Sequence, residues 1–263
     1  MEKERMKQVL FALLAAAISL SAAENYQTGN FESCRRAAER GDAEAQNILG
    51  LLYANGRKKI PGDVITRKAA LELILLGKKT EQARLDPDSK AAFQWFSKAA
   101  QQGNVDAQYN LGYCHYKAIG TIKNPGEAFR WFSKAAEQGH VEGQKSLGVM
   151  YSTGLYIPRD DRQAIAWYEK AAQQGDPFAQ TSLGMIHESG WGVPKNDAAA
   201  LQWYRKAAEQ DDPYAQYKTG ILYVTGRGDR KNLNEGLKWL RKSAAWGYEP
   251  ARRAVANLAQ SSL

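Results

Sequence analysis

Five tryptophans, Trp95, Trp131, Trp167, Trp203 and Trp239, stand 36 residues apart without a slip. A chain with seven tryptophans in all does not arrive at this by chance, and a fixed period of that length marks a stacked-repeat architecture. The same word surrounds each one: AFQWFSKAAQQG, AFRWFSKAAEQG, AIAWYEKAAQQG, ALQWYRKAAEQD and GLKWLRKSAAWG. Apolar residues in these words recur at three and four positions, the spacing of an amphipathic helix. A second helical word precedes each: AQNILGLLYANG, AQYNLGYCHYKA, GQKSLGVMYSTG, AQTSLGMIHESG and AQYKTGILYVTG. Gly50, Gly112, Gly148, Gly184 and Gly220 share one phase of it. A glycine inside a helix costs about 1 kcal/mol relative to alanine, so its recurrence predicts a partner helix that must come close.

The punctuation between the words agrees. Asp88, Asn124, Asp160, Asn196 and Asn232 are good acceptors for the orphan amides at a helix start and are expected to be N-caps. Glu127, Gln163 and Glu235 follow three residues later, where they can complete reciprocal caps, and Pro125 suits the first helical position. Gly41, Gly103, Gly139, Gly175 and Gly247 end the second helix of each unit, with Asp211 substituting once. Neither helix can bury its apolar stripe alone, so successive pairs must stack. The expectation is an all-α solenoid of about five 36-residue helix-turn-helix repeats. The tryptophans are expected in its core, each burying about 150–250 Å² and contributing at most about 4–6 kcal/mol.

The first residues read differently. Lys3, Arg5 and Lys7 precede an apolar run from Val9 to Leu20, followed by Ser21-Ala22-Ala23 and the polar Glu24, the layout of a secretory leader over residues 1–23. Met6 offers an alternative start that keeps this layout. The run is shorter than the roughly 20 residues that span a bilayer. An uncleaved anchor is the alternative, and no cysteine directly follows the run to carry a lipid. Residues 24–263 then form the solenoid, interrupted at about 57–80 by an inserted stretch containing ITRKAALELILLG among Lys58, Lys59, Arg67, Lys68, Lys78 and Lys79. It reads as an added helix, as a basic docking element or as a loop. Cys34 and Cys114 either pair in an oxidising compartment or remain free in core positions.

A-x-x-W-[YF]-x-K-A-A-x-x-G joined to A-x-x-x-L-G-x-x-Y-x-x-G resembles the Sel-1-like repeat, a branch of the tetratricopeptide superfamily. The resemblance implies a right-handed superhelix whose Leu-Gly helices line a concave face for protein partners. On that reading the inner positions are Tyr109, Tyr113, Tyr116 and Lys117 in the second unit, Lys145 and Val149 in the third, Thr181, Met185 and Glu188 in the fourth, and Tyr214, Tyr217 and Ile221 in the fifth. Tyrosine is a rigid amphipathic anchor in interfaces, although each of these can equally well cover the groove. Thr219 departs from the pattern in place of Leu, and His115 and His187 in place of Tyr. Trp191 and Trp246 fall outside the tryptophan ladder and read either as contacts or as loop packing.

Little points to chemistry. His115 and His187 lie 72 residues apart in one phase, too far to share a metal ion, and His140 has no acidic cluster around it. No Ser-x-x-Lys, Gly-x-Ser-x-Gly or Cys-x-x-Cys word and no phosphate-cradling loop occurs. No catalytic residue, metal or cofactor is therefore expected. The net charge of +8 favours an anionic partner only weakly. The expected function is an exported, periplasmic scaffold for a protein partner, with no nucleic acid and no stable membrane insertion. By resemblance to small exported members it would be an immunity protein against a type VI secretion toxin such as a lipase or phospholipase. The alternatives are an envelope adaptor in assembly or signalling and, from another class, an envelope hydrolase of β-lactamase type.

Overall fold

The computed structural model describes residues 31–54 and 87–260, all helices and short turns. The leader and the 57–80 insertion lie outside the described residues. Twelve helices are described: α1 Phe31–Glu39, α2 Ala43–Ala54, α3 Pro87–Gln101, α4 Val105–Lys117, α5 Pro125–Glu137, α6 Val141–Thr153, α7 Asp161–Gln173, α8 Pro177–Ser189, α9 Asp197–Ala208, α10 Pro213–Thr225, α11 Leu233–Ala245 and α12 Glu249–Gln260. The chain divides into two compact units, one ending at Lys134 and the other beginning at Ala135. In each, a Leu-Gly helix forms a hairpin with the ring-bearing helix that follows it, and each ring-bearing helix packs on the next Leu-Gly helix.

The glycines do what their recurrence predicts. A Cβ on Gly50 would lie 2.6 Å from the Phe96 ring, on Gly112 2.8 Å from Phe132, on Gly148 2.5 Å from Tyr168, on Gly184 2.6 Å from Tyr204 and on Gly220 2.7 Å from Leu240. Each hairpin is therefore closed by a side chain lying flat on bare backbone. That side chain follows the tryptophan by one residue, and it, not the tryptophan, is the fully buried member of the pair. Trp95, Trp131, Trp167 and Trp203 are half-buried, and only Trp239 is buried. The expected tryptophan core is thus corrected. Trp95, Trp131 and Trp203 lie against the core cluster shared by the two helices before their own, with a lysine from the next helical turn over the ring. The Lys nitrogens of Lys98, Lys134, Lys170, Lys206 and Lys242 sit 4.3, 4.2, 3.8, 4.2 and 4.6 Å from the five ring centroids.

The helix starts follow the expected caps, with two changes. Asn124, Asp160, Asn196 and Asn232 each accept the amide hydrogen of the third residue on. Asp88 lies inside the first turn of α3, which begins at Pro87. The reciprocal half of the capping box is taken by backbone: the amides of Asn124, Asp160, Asn196 and Asn232 donate to the carbonyls of His115, Tyr151, His187 and Tyr223. Glu127 and Glu235, relieved of that role, pair with Arg130 and Lys238 one turn on. His140 is itself an N-cap, its Nδ1 accepting the Gly143 amide hydrogen at 3.2 Å.

A buried glutamine ladder ties repeat to repeat. Gln46, Gln108, Gln144, Gln180 and Gln216 each donate from Nε2 to the carbonyl eight residues back, in the preceding helix. The Oε1 of Gln46, Gln144 and Gln180 in turn accepts from Gln102, Gln174 and Gln210, just past the ring-bearing helix of the same hairpin, at 2.7–2.9 Å. Cys34 and Cys114 are free and buried in separate clusters, and burial pushes both thiols up to about 12.

Candidate protein-binding surface

The candidate residues all lie on Leu-Gly helices, and the structure brings them together within each unit in different ways. In the first unit, Tyr109 and Tyr113 stack one turn apart on α4 with ring centroids 6.3 Å apart. Tyr109 also leans on Phe132, 5.5 Å away, which couples this face to the buried ring on Gly112. Tyr113 and Tyr116 are half-buried, and Lys117, exposed at the end of α4, places its Nζ 5.0 Å from the Tyr116 ring. The four residues form one aromatic strip closed by a cation.

In the second unit the candidates are divided between a charged network and an aromatic cluster. Lys145 on α6 is ion-paired to Glu142 at 2.7 Å and to Asp176 at 3.3 Å, with its Nζ 5.8 Å from the exposed Phe178 ring. Glu188 on α8 is drawn into the fold: it accepts from the Tyr204 hydroxyl at 2.9 Å and from Lys218 at 2.6 Å, with Arg227 at 3.5 Å. Only 15% of its side chain remains exposed. Arg227 completes the network with two 2.9 Å hydrogen bonds to Asp197. These bonds hold the Asp197 carboxyl below its usual range and raise the Arg227 guanidinium. Thr181 is half-buried with an unpartnered hydroxyl, and Met185 is exposed.

Tyr214 and Tyr217 on α10 meet a residue that sequence reasoning missed. Tyr248, ahead of α12, lies 6.3 Å from Tyr214 and 5.4 Å from Tyr217 between ring centroids. It stands at the phase where Asn104, His140, Asp176 and Asp212 cap the earlier Leu-Gly helices. That change from cap to aromatic is the signal that could have found it. Burial, with Tyr214, Tyr217 and Asp212 nearby, raises its hydroxyl pKa. Phe178 was missed as well: it holds the phase of Glu142 and Tyr214 and is 48% exposed.

Among the described residues no three His, Cys, Asp or Glu side chains form a group that could hold a metal ion, and no helix is long and apolar enough to cross a membrane. His115 and His187 occupy the phase of Tyr53, Tyr151 and Tyr223, with Nδ1 buried and unpartnered. What the described residues show is variable side chains carried on a repeated backbone.

Stacked antiparallel hairpins with a shared glycine-on-ring core define an α-helical tandem-repeat scaffold. The Sel1 repeat model matches six successive segments, residues 43–76, 73–104, 105–140, 141–176, 177–212 and 213–248. The chain belongs to the Sel1 repeat family, a class of scaffold that mediates protein–protein interaction. The matched segments run through the 57–80 stretch.

Solved structures agree on the fold. A protective antigen present in uropathogenic Escherichia coli strains, displaying an SLR fold, is 30% identical over 89% of this chain, with a TM-score of 0.67. This chain spans about half of that protein's length, 52%. A Sel1 repeat protein from Oxalobacter formigenes is 28% identical over 93% of this chain and 86% of its own, also with a TM-score of 0.67. An immunity protein from Pseudomonas aeruginosa is matched more loosely, 24% identical over 61% of this chain and 59% of its own, with a TM-score of 0.39. No curated protein matches the chain.

Proposed function

We propose that this chain is an exported scaffold that holds a protein partner on the faces of its Leu-Gly helices, as a periplasmic immunity protein that occupies a toxic enzyme delivered by type VI secretion, such as a lipase or phospholipase. The observation that carries the reading is the split between what repeats and what varies. Most core positions keep their chemistry from repeat to repeat, whereas one half-buried phase runs Tyr109, Lys145, Thr181, Tyr217 and another, half-buried except at Met185, runs Tyr113, Val149, Met185, Ile221. Stability in a repeat array resides in the invariant contacts, which leaves such phases free to take the shape of a partner. Half-buried tyrosines already fixed by neighbouring rings offer contact area at small entropic cost. The leader-like residues 1–23 support export, and the resemblance to small exported members supports immunity over an assembly role.

The test is a pull-down from native envelope extract with the full chain tagged at its C-terminus, together with cell fractionation. Co-purification of one secreted lipase-like toxin at equal stoichiometry supports the reading. Tyr113→Ala and Tyr217→Ala are then expected to weaken that complex while leaving thermal unfolding nearly unchanged. Normal binding by both variants would move the site to another face, and retention of the chain in the cytoplasm would overturn export.

A further inference from the structure

Trp246 stands 36 residues after Gln210, at the phase from which Gln102, Gln174 and Gln210 donate to the ladder glutamine of their own hairpin. The glutamine that should receive that bond, Gln216, is fully buried, and its Oε1 has no partner. An unsatisfied buried acceptor is a recognised destabilising defect, rare in native folds and in need of an explanation. The side chain that displaced the donor does not repack inward: the Trp246 indole is 63% exposed. The last repeat thus gives up a hydrogen bond that closes the corresponding hairpins of earlier repeats, and it places a large aromatic in solvent. The same hairpin gains a bond of its own, from the Ser243 hydroxyl to the Pro213 carbonyl at 2.6 Å, yet Gln216 Oε1 stays unpartnered, and a local rule broken at that cost points to a use outside the fold.

The surroundings of Trp246 identify what it faces. Lys238, Arg241 and Lys242 are exposed on one face of α11, a face that Trp246 continues one turn beyond Lys242. The Arg252 guanidinium of α12 lies beside Gly247, 3.7 Å from where a Cβ there would sit, and Arg253 follows. Over residues 233–260 five cations face two acids, and both acids, Glu235 and Glu249, are ion-paired within the patch to Lys238 and Arg253. The corner therefore carries one exposed tryptophan among an excess of cations, with Asp212 near enough to act on the neighbouring Tyr248 hydroxyl. Protein interface cores are depleted of charge and gather several apolar side chains, which this patch does not do. A single amphipathic indole among Lys and Arg suits the headgroup layer of an anionic bilayer, where the ring sits at the boundary and each cation adds attraction.

We propose that the α11–α12 corner is a peripheral docking surface for anionic phospholipid headgroups, with Trp246 as its anchor and the exposed Arg241, Lys242 and Arg252 as its cationic flank, Arg252 keeping its Nε on the Ala244 carbonyl. Trp246 is not one of the Leu-Gly-face candidates, and Tyr248, two residues on, contacts Tyr214 and Tyr217 of that face. Binding is reversible and salt-sensitive, because a patch this small is held largely by screened charge.

The test is co-sedimentation of the full chain with vesicles of phosphatidylcholine alone or mixed about two to one with phosphatidylglycerol, at low and high salt. The decisive variant is Trp246→Gln, which restores the residue type of the ladder opposite Gln216. It is expected to melt at the same or a higher temperature than the parent while losing about fivefold or more of the phosphatidylglycerol-dependent binding; Arg241→Glu is expected to lose about the same. Comparing variants in one full-length background cancels any lipid affinity of residues 1–23. A Trp246→Gln protein that melts lower and sediments like the parent would return Trp246 to a packing role and overturn the proposal. Absence of any phosphatidylglycerol preference, with Trp246-dependent binding of a polyglutamate peptide instead, would overturn it in favour of an acidic protein partner.

Discussion

Gly184→Ala tests the packing principle of the whole array. The new Cβ would lie 2.6 Å from both Cδ1 and Cε1 of Tyr204, about 1 Å inside ordinary carbon–carbon contact. Tyr204 has little room to retreat: its ring is fully buried and its hydroxyl is held by Glu188 at 2.9 Å. The hairpin of α8 and α9 must open instead. Overpacking of this kind costs about 1–3 kcal/mol, and replacing a helical glycine by alanine returns about 1 kcal/mol of propensity. The net expectation is a loss of up to about 2 kcal/mol, which lowers the melting temperature by up to about 8 °C in a domain of this size. The internal control is Gly126→Ala, exposed in the first turn of α5, where the new Cβ would meet only Asn124 Oδ1 at 3.5 Å. That variant should gain stability by up to about 1 kcal/mol. Thermal unfolding followed by far-ultraviolet circular dichroism reads both. A Gly184→Ala protein at least as stable as the parent would refute the claim that the recurring glycine exists to admit the ring.

Other expectations follow from the same geometry. Tyr168→Ala, which empties the buried position on Gly148, should cost about 3–5 kcal/mol, whereas Trp167→Ala, half-buried beneath Lys170, should cost about half as much; equal losses would restore the tryptophan to the core. His115 has its pKa lowered from 6.5 by burial, with Glu127 opposing weakly, so it is neutral in the fold and readily protonated when unfolded. Its contribution is fully present above about pH 6.5 and is lost as pH falls from there through the depressed folded value, and His115→Tyr, the residue of neighbouring repeats, should flatten that acid slope in pH-dependent melts. Cys34 and Cys114, buried and with thiols raised to about 12, should resist a thiol reagent in the native protein and react at once in denaturant.

How much of this was written in the sequence depends on whether a position answers to its own repeat or to its neighbours. The period, the helix order and most N-caps were legible because each repeat solves the same local problem with the same residue types. The identity of the buried ring was not. Trp167 and Tyr168 are adjacent and both aromatic, so periodicity admits either, and only the bare backbone of Gly148 on another helix selects Tyr168. The network of Glu188, Lys218, Arg227 and Asp197 was illegible for a stronger reason: its members sit at unlike phases and pair across repeats, so no word in the chain contains it. Trp246 is the instructive middle case. Set against the tryptophan ladder it falls out of phase and carries no meaning, yet set against Gln174 and Gln210 it is in phase and conspicuous. The departure becomes interpretable only once the role of the replaced glutamine is known, because a substitution signals function when it removes a bond the neighbouring repeats keep. In this chain, therefore, the residues that make the fold can be read from recurrence, and those proposed to use it are found where recurrence fails, at the variable phases of the Leu-Gly helices and at the bond that Trp246 gives up.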